Sequence, residues 1–284
     1  MEHREGSFGG ADSADIYYQS WSPQRVPRAL IVLVHGAAEH SGRYRRFAEH
    51  FVQRGYAVAA LDHVGHGRSM GTPGYVRRFS DYVDSLDQFC QLLDEEFTGV
   101  PKILLGHSMG GLISCCYLLQ AQDRFAGCVL SGPAIKTELE PPFWQFFLIR
   151  MFSLLVPKMG ALQLDADGVS RDPIEVEKYR NDPLVYTGKL SARKVSELFA
   201  AMQLVQQEAG KITLPLLLLH GAADSLAAPS GSQFLFDHVG STDKTLKIYP
   251  ELYHEIFNEP ERLEVFADVQ DWLDQRVDRR DASE

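Results

Sequence analysis

The feature that most constrains the fold is a series of short apolar runs, each followed by Gly, His-Gly, Asp, Ser or Pro and separated from the next by a longer mixed segment. Six such runs occur, at 29–34, 56–61, 102–105, 128–130, 214–219 and 245–249. Continuous apolar runs of this length are typical of strands that are buried on both faces. Helical patterns lie between several of them, so the sequence predicts an α/β fold with a mostly parallel central sheet and helices on both faces.

One long interval interrupts this alternation. Helices are predicted at 45–53, 82–96, 109–120 and 261–276, and an outer antiparallel strand at 15–21. From Pro133 to Leu214, however, no buried strand is evident. We therefore expect a core made of residues 1–135 and 212–284, with residues 136–211 inserted into it as a helical cap.

Composition and charge exclude several classes of protein. The chain has 284 residues, a formal net charge of −10 and a hydrophobic fraction of 45%, which suits a packed domain and not a disordered one. The acidic balance, without a basic run, argues against nucleic acid as a partner. We see no signal-peptide pattern and no apolar run of the roughly 20 residues that cross a bilayer, so a cytoplasmic location is expected.

A nucleophile motif stands between the third apolar run and the helix that follows it. Residues 106–110 read Gly-His-Ser-Met-Gly and match G-x-S-x-G. The glycines permit a sharp strand-to-helix turn, which lifts the hydroxyl of Ser108 to the carboxyl edge of the sheet, beside a helix N-terminus. The alternative is an ordinary glycine-rich turn, and the partners described next favour the nucleophile.

A serine hydroxyl needs a base, and the base needs an acid to orient it. His254 follows the last predicted strand and is the best base, whereas His238 lies inside a predicted helix and is interpreted as structural. Asp224 follows the fifth run and gives the chain order Ser, Asp, His that is usual for this fold. Asp62 is the rival acid, but it precedes the nucleophile and is expected to stabilise its own turn.

The developing oxyanion needs two N–H donors. One is expected from the backbone of Met109, directly after the nucleophile, and the other from Ala37 in the loop after the first run. His35 is interpreted as bracing that loop. His63 and His66 could suggest a metal site, but neither a helical spacing nor a further ligand cluster supports it. We therefore expect no metal and no cofactor.

The segment 143–156 is apolar on almost every side. Either it packs wholly inside the protein, or it lines a pocket for an acyl chain and turns one face toward lipid. Phe143, Phe146 and Phe147 are candidate contacts of such a chain. The second interpretation predicts transient, peripheral contact between the cap and a membrane surface.

With the triad assigned, the chain closely resembles the monoacylglycerol lipases of the α/β-hydrolase superfamily from about residue 15 to 277. The resemblance rests on five stretches that the sequence shares with that family: His35-Gly36-Ala37 with Glu39 to Tyr44, Asp62 to Ser69, Gly106 to Gly111, Asn181 to Leu184, and Asp243 to Tyr249. Two positions depart from some members of the family. Phe257 stands where those members have a second histidine, and residues 225–228 lack a cysteine.

The resemblance implies a serine esterase that cleaves monoacylglycerols to fatty acid and glycerol through an acyl-enzyme on Ser108. It also implies that Glu39 and Arg43 shape the polar end near the oxyanion loop and that Tyr179 of the cap faces the glycerol. The alternatives are a lysophospholipase or a broad carboxylesterase with the same triad, then a peptidase or amidase. A non-catalytic binding protein is the remaining alternative.

Overall fold

The computed structural model describes residues 1–137 and 143–281, with side chains at all of these positions except 143–147 and 278–281. The strands are β1 (Glu2–Gly9), β2 (Asp15–Ser22), β3 (Leu30–Val34), β4 (Ala57–Leu61), β5 (Lys102–His107), β6 (Gly127–Ser131), β7 (Gly160–Leu162), β8 (Leu190–Ser191), β9 (Leu216–Gly221) and β10 (Lys244–Tyr249). The helices are α1 (Arg45–Gln53), α2 (Ser80–Glu96), α3 (Met109–Ala121), α4 (Phe143–Leu155), α5 (Pro173–Asn181), α6 (Ala192–Glu208), α7 (Pro229–His238) and α8 (Arg262–Asp281).

The main sheet has the strand order β1-β2-β4-β3-β5-β6-β9-β10. Strands β1 and β2 run antiparallel at one edge, and β3, β4, β5, β6, β9 and β10 are parallel to one another. The predicted α/β fold with a mostly parallel sheet is confirmed. Strand β1 was not predicted, because its sequence is largely polar and most of its residues remain exposed at the sheet edge.

Five of the six predicted strands, β3, β4, β5, β6 and β9, are buried because helices cover both faces of the sheet. The sixth, β10, was expected to be buried as well, but it is the edge strand of the sheet and only its Tyr249 is buried. The sheet separates two apolar cores, and alternate residues of β3 belong to different ones. Leu30 and Val32 belong to the first core, and Ile31 and Leu33 belong to the second. The first core includes apolar residues of α2, α3 and α7, and the second includes those of α1 and α8. The carboxyl ends of β5, β9 and β10 therefore open at one edge, where loops can gather functional side chains.

Between β6 and β9 the chain forms α4, a two-stranded β7–β8 ribbon, α5 and α6. Helix α4 packs against α6, and α6 in turn packs on α3 of the core. In the described part of α4, one face carries exposed apolar side chains, including Phe152 at 38% and Leu155 at 71% of full exposure, whereas Ser153 is buried. This segment is therefore not packed wholly inside the protein. The proposed core and cap boundaries stay a prediction.

Across the residues that the structure describes, every helix is too short or too polar to traverse a lipid bilayer.

Candidate active site

Ser108 occupies a strained turn at the carboxyl end of β5, where α3 begins. Its φ of +54° and ψ of −120° are rarely adopted by a residue with a side chain. The flanking glycines are required by close backbone packing, since a Cβ on Gly110 would lie 2.0 Å from the carbonyl oxygen of Val34. A Cβ on Gly106 would lie 2.5 Å from Ser114 Oγ. The turn therefore presents the Ser108 side chain to a cavity at the sheet edge.

His254 and Asp224 are in direct contact beneath this cavity. His254 Nδ1 lies 2.6 Å from Asp224 Oδ2, and both side chains are buried. Burial alone would lower the pKa of His254, but the charge of Asp224 and its hydrogen bond outweigh burial and raise that pKa. Burial alone would raise the pKa of Asp224, and His254 and the hydrogen bonds to the carboxylate instead hold it well below its usual range. The pair suits a base whose protonated form is stabilised.

The two predicted oxyanion donors line the same cavity as Ser108. Met109 is the first residue of α3, so its N–H has no partner within the helix. Ala37 lies in the loop after β3, and that loop is held by Glu39, whose Oε1 accepts the N–H of Gly36 at 2.7 Å. The next residue, Ala38, has a φ of +66°, and its carbonyl accepts the N–H of Tyr186 at 2.8 Å. Hydrogen bonds therefore hold the loop both to the side chain of Glu39 within it and to the segment before β8.

A buried ion-pair network forms the polar end of the cavity. Arg43 donates to Glu39 at 2.9 Å and to both oxygens of Glu255 at 2.5 and 2.7 Å. Burial would raise the pKa of the Glu255 carboxyl, but Arg43 outweighs burial and lowers it. The Arg43 guanidinium also lies over the ring of Tyr179, 4.7 Å from its centroid. The predicted polar residues thus lie together, and Glu39, Tyr179 and Glu255 line the cavity.

The rest of the cavity is apolar. The cavity has a volume of about 110 Å³. Its apolar wall comes from α6 and from segments on either side of it, and includes Leu162, Leu164, Val169, Leu190, Val195, Leu198, Phe199, Met202 and Leu226. One end of the cavity is therefore charged and hydrogen-bonded, and the other can accept a hydrocarbon chain.

Three predicted acyl contacts cannot be compared with this wall. The side chains of Phe143, Phe146 and Phe147 lie outside the described residues. Sequence reasoning missed the contribution of α6, although Val195, Leu198, Phe199 and Met202 recur at the spacing of one helical face.

The rival residues have structural roles. Asp62 accepts the N–H groups of Ser41 and Arg68, both at 2.8 Å, and so closes its own turn as expected. His35 accepts the N–H of His63 and thereby links two loops. Among the residues described, no group of three His, Cys, Asp or Glu side chains is arranged to hold a metal ion.

Two buried histidines beside His254 and Asp224 were not singled out from the sequence. The ring of His107 lies 4.7 Å from that of His254, and burial together with the neighbouring His254 lowers its pKa to about 3. His220 lies at the carboxyl end of β9, with its Nε2 3.1 Å from Asp224 Oδ2. The signal available in the sequence was that His220 stands four residues before Asp224, the candidate acid.

Comparison with known proteins identifies relatives of this chain. A family model described as serine aminopeptidase, S33, matches residues 25–261. The chain is 41% identical to a monoacylglycerol lipase of Mycolicibacterium smegmatis over 95% of this chain and 96% of that protein. It is 35% identical to the human monoglyceride lipase over 94% of this chain and 89% of that protein.

A solved structure agrees as well. The crystal structure of Paleococcus ferrophilus monoacylglycerol lipase superposes with a TM-score of 0.81 at 32% identity, covering 97% of this chain and all of that one. The sequence relatives and the shared fold extend over nearly the whole chain. The chain therefore belongs to the α/β-hydrolase superfamily and, within it, to the monoacylglycerol lipase family.

Proposed function

We propose that this protein hydrolyses monoacylglycerols to fatty acid and glycerol, with Ser108 as the nucleophile. The observation that carries the proposal is a single cavity that combines three features. It exposes Ser108 and His254, it has a charged end at Glu39 and Glu255, and it continues into an apolar wall. A lipid ester with one acyl chain and a small polar head group matches these two ends. The monoacylglycerol lipases to which the chain is similar support the same substrate.

In the proposed reaction, His254 removes the proton of Ser108 while the serine oxygen attacks the ester carbonyl. Asp224 keeps the imidazole oriented through Nδ1 and balances its charge when Nε2 is protonated. The N–H groups of Ala37 and Met109 bind the oxyanion of the tetrahedral intermediate. Collapse of this intermediate breaks the ester bond, and glycerol leaves with the proton from His254. A water molecule activated by the same base then releases the fatty acid and restores Ser108.

A panel of substrates and one variant test this proposal. Monoacylglycerol, a lysophospholipid, a short nitrophenyl ester and an aminoacyl amide are compared at equal concentration. We expect the highest kcat/KM for monoacylglycerol, because the carboxylates of Glu39 and Glu255 line the polar end and would repel the phosphate of a lysophospholipid. Preference for the lysophospholipid or the amide would favour those activities instead.

Ser108→Ala should lower ester turnover by roughly 10⁴-fold or more, while its Tm stays close to that of the wild type. The matched control is Ser7→Ala, a serine on the exposed edge strand β1. This variant should keep full activity. Turnover that survives in Ser108→Ala would contradict the assignment of the nucleophile.

We further propose that residues 136–211 form a cap whose outer face touches lipid surfaces. Leu148, Phe152 and Leu155 are spaced along one face of α4 and are exposed. Leu154 near the end of the same helix and Val156 directly after it are exposed too. Exposed apolar side chains grouped on one helix favour insertion into the outer part of a bilayer. Contact with a membrane would bring the cavity to the phase in which monoacylglycerols reside.

Sedimentation with vesicles of zwitterionic phosphatidylcholine tests this contact. Leu155→Ser should weaken binding about tenfold, the effect of withdrawing one leucine from lipid. Leu263→Ser is the control, because Leu263 is similarly exposed, at 64%, but lies on α8. Equal binding by both variants would rule out the cap as the lipid-binding surface.

A further inference from the structure

His220 makes three polar contacts at the end of β9, and together they determine where its proton resides. Nε2 lies 3.1 Å from Asp224 Oδ2 and 3.1 Å from the carbonyl oxygen of Ala227. Both of these oxygens are acceptors only, so Nε2 carries the hydrogen. Nδ1 lies 2.7 Å from Ser232 Oγ, and in the neutral ring it accepts the hydroxyl proton of Ser232. The ring is fully buried and has one arrangement of donors and acceptors.

The carboxylate of Asp224 is saturated by donors as a result. Oδ1 accepts the N–H groups of Leu226 and Ala227 at 2.8 and 2.9 Å. Oδ2 accepts from His254 Nδ1 at 2.6 Å and from His220 Nε2. Two imidazole rings therefore share one carboxylate oxygen. Because every donor comes from a different position, the carboxylate plane cannot rotate without breaking a hydrogen bond.

We propose that His220 is a positioning residue of the triad, and that it acts through Asp224 in two ways. It transmits the position of α7, through Ser232, to the carboxylate that orients His254. Its Nε2–H also withdraws electron density from Oδ2, and this weakens the hydrogen bond that Oδ2 accepts from the Nδ1–H of His254. The inference rests on the proposed function, since it assumes that His254 and Asp224 work as base and acid.

Two amide substitutions separate these contributions. In His220→Gln, the side-chain nitrogen can occupy the place of Nε2 and still donate to Asp224. In His220→Asn, the shorter side chain reaches only the place of Nδ1, so it keeps a partner for Ser232 but leaves Oδ2 with one donor fewer. Both variants introduce a neutral polar group of similar size, so a general loss of packing affects them alike.

The first measurement is kcat/KM for a short nitrophenyl ester as a function of pH. His220→Asn should lower kcat/KM about tenfold, because the acid is less well held. It should also move the acid limb upward by roughly half a pH unit, because Oδ2 then stabilises protonated His254 more strongly. His220→Gln should stay within about threefold of the wild type, with its acid limb unmoved.

A shift of the acid limb can be assigned to His254, because neither His220 variant changes the other titratable groups that act on the His254 imidazole. The titratable groups facing His254 besides Asp224 are Glu255, Glu39 and His107. A merely structural role for His220 predicts lower Tm values in both variants and an acid limb that moves in neither. Acid limbs that move equally in the two variants would also overturn the proposal. If His220→Asn does not fold, a displaced acid limb in His220→Gln is enough by itself to overturn the proposal.

The second measurement does not depend on turnover. In the Ser108→Ala background, the downfield proton NMR signal of the His254 Nδ1–H hydrogen bond reports the strength of the contact with Asp224. This signal should move further downfield in His220→Asn and stay in place in His220→Gln. Failure of the proposed function appears as turnover by Ser108→Ala, whereas failure of this inference appears as identical spectra in the two His220 variants.

Discussion

Replacing Lys194 with methionine should stabilise the protein at neutral pH, although it removes a hydrogen bond. Lys194 lies at the start of α6, is fully buried, and points its Nζ at His66 Nε2 at 3.0 Å. His66 Nδ1 contacts the carbonyl oxygen of Val64, so Nδ1 carries the hydrogen and Nε2 accepts from the lysine. The ammonium thus has a neutral acceptor beside it. Burial alone accordingly lowers its pKa to about 7 from the ordinary 10.5.

The sign and size of the effect follow from linkage between protonation and folding. Between pH 7 and 10.5 the unfolded chain binds more protons at Lys194 than the folded one, so the stability contributed by this group rises with pH. With pKa values of about 7 and 10.5, the burial of Lys194 costs about 4 kcal/mol at pH 7 and about 1 kcal/mol at pH 10. The lost hydrogen bond to His66 offsets about 1–2 kcal/mol at either pH.

Urea unfolding at pH 7 and pH 10 measures this difference. Lys194→Met should be more stable than the wild type by about 2–3 kcal/mol at pH 7, and equal or slightly less stable at pH 10. Lys211→Met is the control, because Lys211 is 68% exposed, and its free energy of unfolding should change by less than about 0.5 kcal/mol. A difference that does not vary with pH, or a destabilised variant at pH 7, would refute the reasoning.

Three further predictions concern the candidate site at the carboxyl edge of the sheet. Glu39→Gln should lower kcat about tenfold with a smaller change in KM, because the amide cannot serve Gly36 and Arg43 as the carboxylate does; a rise in KM alone would assign Glu39 to substrate binding instead. The acid limb of kcat/KM should lie above the ordinary histidine value of about 6.5, because Asp224 raises the pKa of His254, and a limb below that value would contradict this. Gly110→Ala should reduce Tm and activity sharply because its Cβ would meet backbone, whereas Gly9→Ala, with open space around it, should change neither.

The elements that local patterns specify were predicted well. The runs that became β3, β4, β5, β6 and β9 are apolar because both faces of the sheet are covered there, and this leaves a strong pattern in the sequence. The edge strand β10 is mostly not buried, and its sequence includes two lysines. The first helix was predicted at 45–53, the bounds that α1 has. The edge strand β1 escaped because an exposed strand needs no apolar pattern, and pairing with β2 alone makes it a strand.

The residues of the candidate site also differ in whether the sequence alone could predict them. The glycines around Ser108 could be interpreted from the sequence because backbone sterics at a sharp turn demand them wherever the turn occurs. The contact of Arg43 with Glu255 joins side chains that are far apart in the chain. The contact of His220 with Ser232 depends on how α7 packs against the sheet. No spacing rule links such residues before the helices are docked.

By itself, therefore, the sequence determined the fold class and the most plausible nucleophile, base and acid, since each depends on a local pattern or on the order of strands. Only the tertiary structure decided that α6 lines the apolar wall, that two histidines share Asp224 and that Lys194 is buried beside His66. These features arise from how α6 and α7 pack on the sheet. Packing brings together side chains whose distances along the chain carry no information about their distances in space.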